Sequence, residues 1–199
     1  MAKKQTPTTQ IIAGKYKGKK IFLPSLEVTR SSKSILKESF FNTIQFEIID
    51  KIFIESFGGS GSMGLEAISR GASKAYFVEL NKNSFKILTK NCKLIDEDST
   101  FTILGDTFDI TPKIAEELKD LSNTILYIDP PFDIREGMNN IYDKCFNMIE
   151  SFSAKEYKFY LICIEHNSTL KMPQTIGEYK LTKTKKFGKS SLSYYQNSF

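Results

Sequence analysis

Short runs of consecutive apolar residues alternate along this chain with longer stretches in which apolar side chains return every three or four positions. Lys51–Ile54, Lys74–Val78, Phe101–Leu104, Asn123–Ile128 and Tyr157–Ile164 show no regular polar alternation. They read as strands, and Asn123–Ile128 and Tyr157–Ile164 as buried ones. The intervening stretches read as amphipathic helices. In the first, Leu36, Phe40, Ile44 and Ile48 fall at four-residue steps and Phe41 joins them. Leu65–Arg70, Asn81–Ile95 (Phe85, Leu88, Cys92 and Ile95 inward), Ile114–Leu121 and Met138–Phe152 follow. Strands alternating with helices predict an α/β fold: a mostly parallel sheet covered on both faces, with right-handed crossovers. Glu178–Phe187 and Ser191–Gln196, around Gly188, predict a closing antiparallel pair. At the front, Ile11-Ile12 and Ile21–Leu23 flank a Gly- and Lys-rich turn, which predicts a hairpin. The expected organisation is a flexible basic arm at 1–9, a hairpin extension at 10–30 and one domain at 31–199.

Two loops carry the candidate chemistry. Between Lys51–Ile54 and the next helix, Gly59, Gly61 and Gly64 have the GxGxxG spacing, and Glu79 ends the following strand 20 residues after Gly59. Glycines permit a tight turn and close approach of backbone to a ligand, and an acid at that distance binds ribose hydroxyls. Together they predict a nucleoside-type cofactor; taken alone, the glycines are an ordinary tight turn. The second loop is Asp129-Pro130-Pro131-Phe132, after the apolar run that ends at Ile128. An acid there stands at the sheet's carboxyl edge, where open α/β sheets bind ligands. The two prolines fix φ and lack N–H groups, leaving carbonyl acceptors outward. A carboxylate, a carbonyl and an aromatic face on one rigid tetrapeptide suit a planar amino group; the plainer reading is a strand-ending turn whose acid caps a helix.

The net charge of +5 conceals an uneven distribution: residues 1–40 carry +7, residues 180–199 carry +5, and residues 41–179 carry −7. An acidic body with two basic ends predicts a polyanionic partner held by those ends. Lys15, Lys17 and Lys19 crowd the front turn beside Tyr16, where lysines meet phosphates and an aromatic ring stacks on a base. A solubilised edge hairpin is the alternative. Cys92, Cys145 and Cys163 are far apart and His166 is the one histidine, so neither a metal site nor a disulfide framework is expected. With no transmembrane-length run and no signal-like start, the expectation is a cytoplasmic protein.

The glycine loop, Glu79, Asp106 and the DPPF segment resemble Rossmann-like S-adenosylmethionine methyltransferases that act on exocyclic amino groups. Ile11–Lys19, Arg30 with Lys37-Glu38 and Phe41-Asn42, Gly59–Ala72, and Gly188 with Leu192-Ser193 extend the resemblance to the bacterial RsmD family, from about Gln10 to Gln196. The resemblance implies a Rossmann-like methyltransferase fold of seven strands, one of them antiparallel. It implies S-adenosylmethionine as cofactor and the N2 amino group of a guanine in 16S ribosomal RNA as target, on naked RNA or a partly assembled small subunit. No obligate protein partner is called for. It further implies that Phe57, Gly58, Gly59, Ser60 and Gly61 wrap the methionine end, with Glu55 nearby. Glu79 would take the ribose hydroxyls and Asp106 the adenine amino group. Asp129, also at the cofactor, and the Pro130 carbonyl would hold the target amino group while Phe132 stacks on the guanine. Arg30 and Lys37 join the hairpin residues as expected RNA contacts. The sequence departs from the family where Glu55 replaces the usual Asp, Gly58 the usual Ala, and Ser31-Ser32 the usual Pro-Thr.

Three other readings compete. A DNA adenine-N6 methyltransferase shares DPPF but needs a DNA-reading domain for which 199 residues leave little room. A nicotinamide-dependent oxidoreductase would explain the glycine loop and Glu79, but neither DPPF nor the basic ends. A non-catalytic RNA-binding module does not account for an intact DPPF.

Overall fold

A computed structural model describes residues 7–24, 30–131 and 141–197, without the side chains of residues 30–32. Phe132, the side chain of Arg30 and the expected helix start at Met138 lie outside the described residues. Five parallel strands form one side of the sheet: β3 (Ile52–Glu55), β4 (Lys74–Glu79), β5 (Thr100–Leu104), β6 (Thr124–Ile128) and β7 (Leu161–Asn167). The remaining strands are β8 (Thr175–Ile176), β9 (Tyr179–Phe187) and β10 (Ser190–Asn197), in the order β5-β4-β3-β6-β7-β10-β9-β8. β10 runs antiparallel between β7 and β9. The sheet therefore has eight strands rather than seven, the addition being the two-residue β8 paired to the start of β9.

Helices cover both faces. α1 (Arg30–Thr43), α2 (Ser62–Ser69) and α3 (Lys82–Ile95) pack on one face; α4 (Thr107–Leu118) and α5 (Ile141–Ala154) pack on the other. The two-residue period of a strand divides β6 between them: Ile125 and Tyr127 enter the first core, Leu126 and Ile128 the second. Phe40 on α1 is buried with its ring centroid 5.0 Å from Phe41, 5.2 Å from Tyr127 and 6.1 Å from both Phe53 and Tyr194. Truncating so enclosed a ring costs about 3–5 kcal/mol.

At three boundaries the departure from the sequence pattern has a clear local reason; besides these, α1 ends at Thr43, ahead of Ile44 and Ile48, and α2 starts at Ser62 rather than Leu65. α4 starts at Thr107, ahead of Pro112, because Asp106 caps it by accepting the Phe108 N–H at 3.0 Å. The Thr107 hydroxyl also donates to the Ser56 carbonyl, and the Ser56 and Thr111 hydroxyls lie 3.1 Å apart. β7 starts at Leu161 rather than Tyr157, since the Phe159 N–H goes to the Tyr179 hydroxyl and the Tyr160 N–H to the carbonyls of Leu121 and Thr124. In the front hairpin, β1 (Thr8–Gln10) pairs with β2 (Lys20–Phe22), so the strand precedes Ile11-Ile12. The N–H groups of Ile12 and Ala13 turn instead to the Glu66 carboxylate, at 2.7 and 3.0 Å. Glu66 is itself buried on α2 against Arg70 at 2.8 Å and Lys37 at 3.6 Å.

Candidate active site

Each of the five parallel strands delivers an acid toward the same edge: Glu55, Glu79, Asp106 and Asp129 stand at or just past the ends of β3, β4, β5 and β6, and Glu165 two residues before the end of β7. Register sets Glu55 beside Phe77 and Tyr127, two residues short of Glu79 and Asp129, and Ile128 beside Ile164, which brings Asp129 and Glu165 to one level. A cleft opens at this edge. Its wall includes Glu55, Phe57, Gly58, Gly59, Ser60 and Asp129, which the sequence nominates, together with Lys33, Lys37 and Glu165.

The glycine loop is fixed by backbone and by the acids around it. Gly61 takes φ +76° ahead of α2, a left-handed conformation that a side chain rarely adopts. At Gly64 a Cβ would lie 2.3 Å from the Phe77 ring, so glycine is what lets α2 approach β4. Gly58 donates its N–H to the Val78 carbonyl at 2.7 Å. Glu79 accepts the Gly59 N–H at 2.8 Å through one oxygen and the Asn81 N–H at 2.6 Å through the other. The acid expected at ribose hydroxyls thus also fastens the loop around the cleft. Asp106, exposed at the end of β5, uses Oδ1 to cap α4 and is not part of the cleft wall.

Glu55 is 5% exposed and accepts the Gly64 N–H at 2.8 Å, reaching the start of α2. Burial raises its pKa to about 8, with Asp129 adding to the shift; the N–H groups of Gly64 and Met63 and the Lys33 ammonium oppose it. The additional methylene of Glu over Asp is what carries the carboxyl to the helix terminus.

Asp129 is met by a residue the sequence reading missed. The Lys33 Nζ lies 2.7 Å from Asp129 Oδ2 and 3.6 Å from Glu165 Oε1. Lys33 sits three residues before Leu36 and seven before Phe40, so the apolar stripe of α1 runs through it. That stripe, extended one turn back, would have pointed to the sheet edge. Burial lowers the Lys33 pKa, but the two carboxylates outweigh it and the net shift is upward, holding the ammonium charged. Glu165 is 1% exposed and accepts the Tyr127 hydroxyl at 2.9 Å. Burial raises its pKa, Asp129 raises it further, and Lys33 and Tyr127 oppose. Pro130 is buried and Pro131 exposed.

The expected RNA contacts divide. Lys15, Lys17 and Lys19 are exposed on the hairpin turn. Tyr16 is half-buried; its hydroxyl donates to Asp96 at 2.6 Å, and the Lys15 and Lys19 ammonium groups each lie 4.8 Å from its ring centroid. In this arrangement the ring is a seat for cations rather than a bare stacking face. Lys37 is 3% exposed, and its ammonium is held by the Gln10 carbonyl and the Ser62 hydroxyl, both at 3.2 Å, and by Glu66. This corrects the expectation of an outward phosphate contact: α1 turns Lys37 inward, where it ties the hairpin to α2. The exposed lysines of the opposite end, Lys180, Lys183 and Lys186, lie on β9.

Among the described residues there is no metal-binding cluster of His, Cys, Asp and Glu, and no helix is long and apolar enough to cross a membrane. The three cysteines are buried free thiols.

The family described as Conserved hypothetical protein 95 matches residues 9–196. Ribosomal RNA small subunit methyltransferase D of Escherichia coli is 26% identical over 189 residues, covering 94% of this chain and 89% of its own length. The Haemophilus influenzae protein of the same name is 29% identical over 206 residues, covering 99% of this chain and 100% of its own. A solved Haemophilus influenzae structure assigned as a methylase superposes with a TM-score of 0.70 at 26% identity, covering 97% of this chain and 100% of that one. TYW2 of M. jannaschii, in complex with AdoMet, superposes with a TM-score of 0.55 at 13% identity over 91% of this chain and 84% of its own, a likeness of fold. The expectations of a Rossmann-like methyltransferase fold and of S-adenosylmethionine as cofactor agree with these relatives.

Proposed function

This chain belongs to the Conserved hypothetical protein 95 family, the family of RsmD, and from that premise we propose that it transfers a methyl group from S-adenosylmethionine to the exocyclic N2 of a guanine in small-subunit ribosomal RNA. One observation carries the reading. Asp129 presents a carboxylate oxygen in the cleft that already holds a nitrogen donor, the Lys33 ammonium, at 2.7 Å, on the same cleft as the glycine loop. A carboxylate that seats one N–H donor there can seat an amino group.

The cofactor fits the residues present, because Gly59 has open space where a Cβ would stand and Glu79 anchors its N–H. When bound, S-adenosylmethionine supplies an electrophilic methyl group. The chain's task is to aim and sharpen the nucleophile. A guanine amino nitrogen shares its lone pair with the ring, and accepting its N–H bonds on Asp129 and the Pro130 carbonyl favours the pyramidal form that attacks. Alignment supplies most of the acceleration, and the Asp129 charge stabilises positive charge growing on the nitrogen. The same carboxylate is placed to accept the proton that the methylated amino group sheds. Phe132, next in sequence, is the residue we assign to stacking on the base, and Glu79 and Asp106 to the ribose and adenine of the cofactor. Lys15, Lys17 and Lys19, with Arg30, are assigned to phosphates.

The test is tritiated methyl transfer to unmodified small-subunit RNA and to small subunits, followed by mapping of the labelled nucleotide. N2-methylguanine is expected. Label on adenine N6 of DNA, or none on RNA, rejects the reading. Asp129→Asn, with unfolding curves as control, should lower kcat by about 10²–10³.

A further inference from the structure

Glu165 is a buried acid that the proposed reaction leaves without a task. One of its oxygens is occupied, since Oε2 accepts the Tyr127 hydroxyl at 2.9 Å. The other, Oε1, has no hydrogen-bond partner among the described residues and is enclosed, yet it faces the Lys33 ammonium at 3.6 Å in the wall of the cleft. Lys33 meanwhile holds Asp129 Oδ2 at 2.7 Å, inside the cleft that both residues line. Its side chain is 45% exposed and that of Asp129 23%, so the shared cation lies at the open mouth of the cluster and Glu165 at its floor.

We propose that Glu165 is a positioning residue for methyl transfer that acts through Lys33: it is a second seat to which the ammonium withdraws when the target amino group takes its place on Asp129. The inference rests on the function proposed above. Lys33 and a substrate amino group are both N–H donors and compete for one carboxylate. An ammonium has three donors on a flexible four-carbon stem, so closing 3.6 Å to hydrogen-bond distance takes a rotation of that stem rather than a movement of α1. Without a second acceptor, the displaced ammonium would have to go out to solvent. Glu165 would then lose the cation beside it and either remain an unpaired buried charge, which is costly, or take up a proton and lose the charge that draws the ammonium in.

The exchange also changes what the reacting nitrogen experiences. While Lys33 sits on Asp129, that carboxylate is neutralised, and a cation stands where positive charge must grow. With Lys33 drawn to Glu165, the full charge of Asp129 faces the amino group and the cation is further away. Glu165 thereby sets how strongly Asp129 favours the transition state over the ground state.

Two measurements test this. The first is a coupling measurement on methyl transfer. Glu165→Gln keeps an acceptor for the Tyr127 hydroxyl but is a poor seat for an ammonium, so kcat should fall by about tenfold or more while S-adenosylmethionine affinity changes less than about twofold. In a Lys33→Met background the same Glu165→Gln change should cost less than about threefold, because no cation is left to place. Equal losses in both backgrounds would reduce Glu165 to a partner of Tyr127 and overturn the proposal. The second is a crystal structure of Asp129→Asn, which weakens the first seat. The Lys33 Nζ is expected within about 3 Å of Glu165 Oε1; a Lys33 side chain turned to solvent overturns the proposal. This second measurement needs no RNA. A wild-type protein inert on ribosomal RNA would reject the functional reading, and the Asp129→Asn structure would still decide whether Glu165 seats the ammonium.

Discussion

Asn91 pairs with both backbone groups of Phe22: its Oδ1 accepts the Phe22 N–H at 2.9 Å and its Nδ2 donates to the Phe22 carbonyl at 2.9 Å. The same Nδ2 donates to the Ser60 carbonyl at 2.8 Å. A fully buried amide on α3 thus joins the second hairpin strand to the glycine loop. Asn91→Ala leaves one buried donor and two carbonyls without this partner, and each orphaned group costs about 1–3 kcal/mol. We expect a large loss of stability in denaturant unfolding. Asn91→Asp should cost nearly as much, because a carboxylate cannot donate to either carbonyl. If both variants unfold at the wild-type midpoint, the amide joins nothing.

Glu79→Ala should weaken S-adenosylmethionine binding in calorimetry, by roughly 1.5–3 kcal/mol for each charge-assisted hydrogen bond removed from the ribose. Because the carboxylate also holds Gly59, the loop should loosen as well, seen as faster amide exchange at Gly59 and Asn81 in the cofactor-free protein. Unchanged affinity removes Glu79 from the cofactor site.

Replacing Lys15, Lys17 and Lys19 together should weaken RNA binding and flatten its salt dependence, by roughly 0.7–0.9 in log–log slope for each phosphate left without its lysine. Lys37→Met makes the contrast. Its ammonium is enclosed by Gln10, Ser62 and Glu66, so that change should lower stability and leave the salt slope alone. A slope that stays put in the triple variant returns the hairpin to a solvated edge.

Glu55 gives stability a pH dependence of definite sign. Its pKa in the folded protein, about 8, lies above that of an unfolded glutamate, near 4.5. Between the two values the folded state holds a proton that the unfolded state has released. The stability that Glu55 contributes is therefore fully present below about pH 4.5 and is lost as pH rises through about 8. Glu55→Gln keeps an oxygen for the Gly64 N–H and has nothing to ionise, so denaturation midpoints compared at pH 5 and pH 8.5 should converge. An unaltered difference would assign the slope to another group.

What could be read from the sequence was what neighbouring residues decide. Apolar runs gave strands, GxGxxG gave a turn, and the acids of β3, β4 and β6 stood where strand ends placed them. The paired roles of Lys33 and Glu165 were hidden because 132 positions separate them, and it takes the packing of α1 against β6 together with the pairing of β6 to β7 to bring them to one place. Lys37 misled for a related reason. On an amphipathic helix a lysine reads as outward, and nothing near it in sequence reveals that Glu66 waits inside. The start of α4 was obscured by Pro112, a helix breaker in isolation; the turn ahead of it is held by the Asp106 cap and by the hydrogen bonds of Thr107 and Thr111 with Ser56.

The position of β10 between β7 and β9 dictates an order of assembly. During vectorial synthesis β8 and β9 emerge before β10, yet neither has a ladder partner in the parallel half of the sheet. Until residues 190–197 insert, β7 is an open edge whose Leu161–Asn167 backbone invites pairing with another chain. A nascent chain arrested just short of Ser190 would carry the glycine loop and Asp129 on a sheet whose β7 margin lacks its partner strand. Aggregation of such arrested chains, rather than loss of the cleft, is the failure this topology builds in.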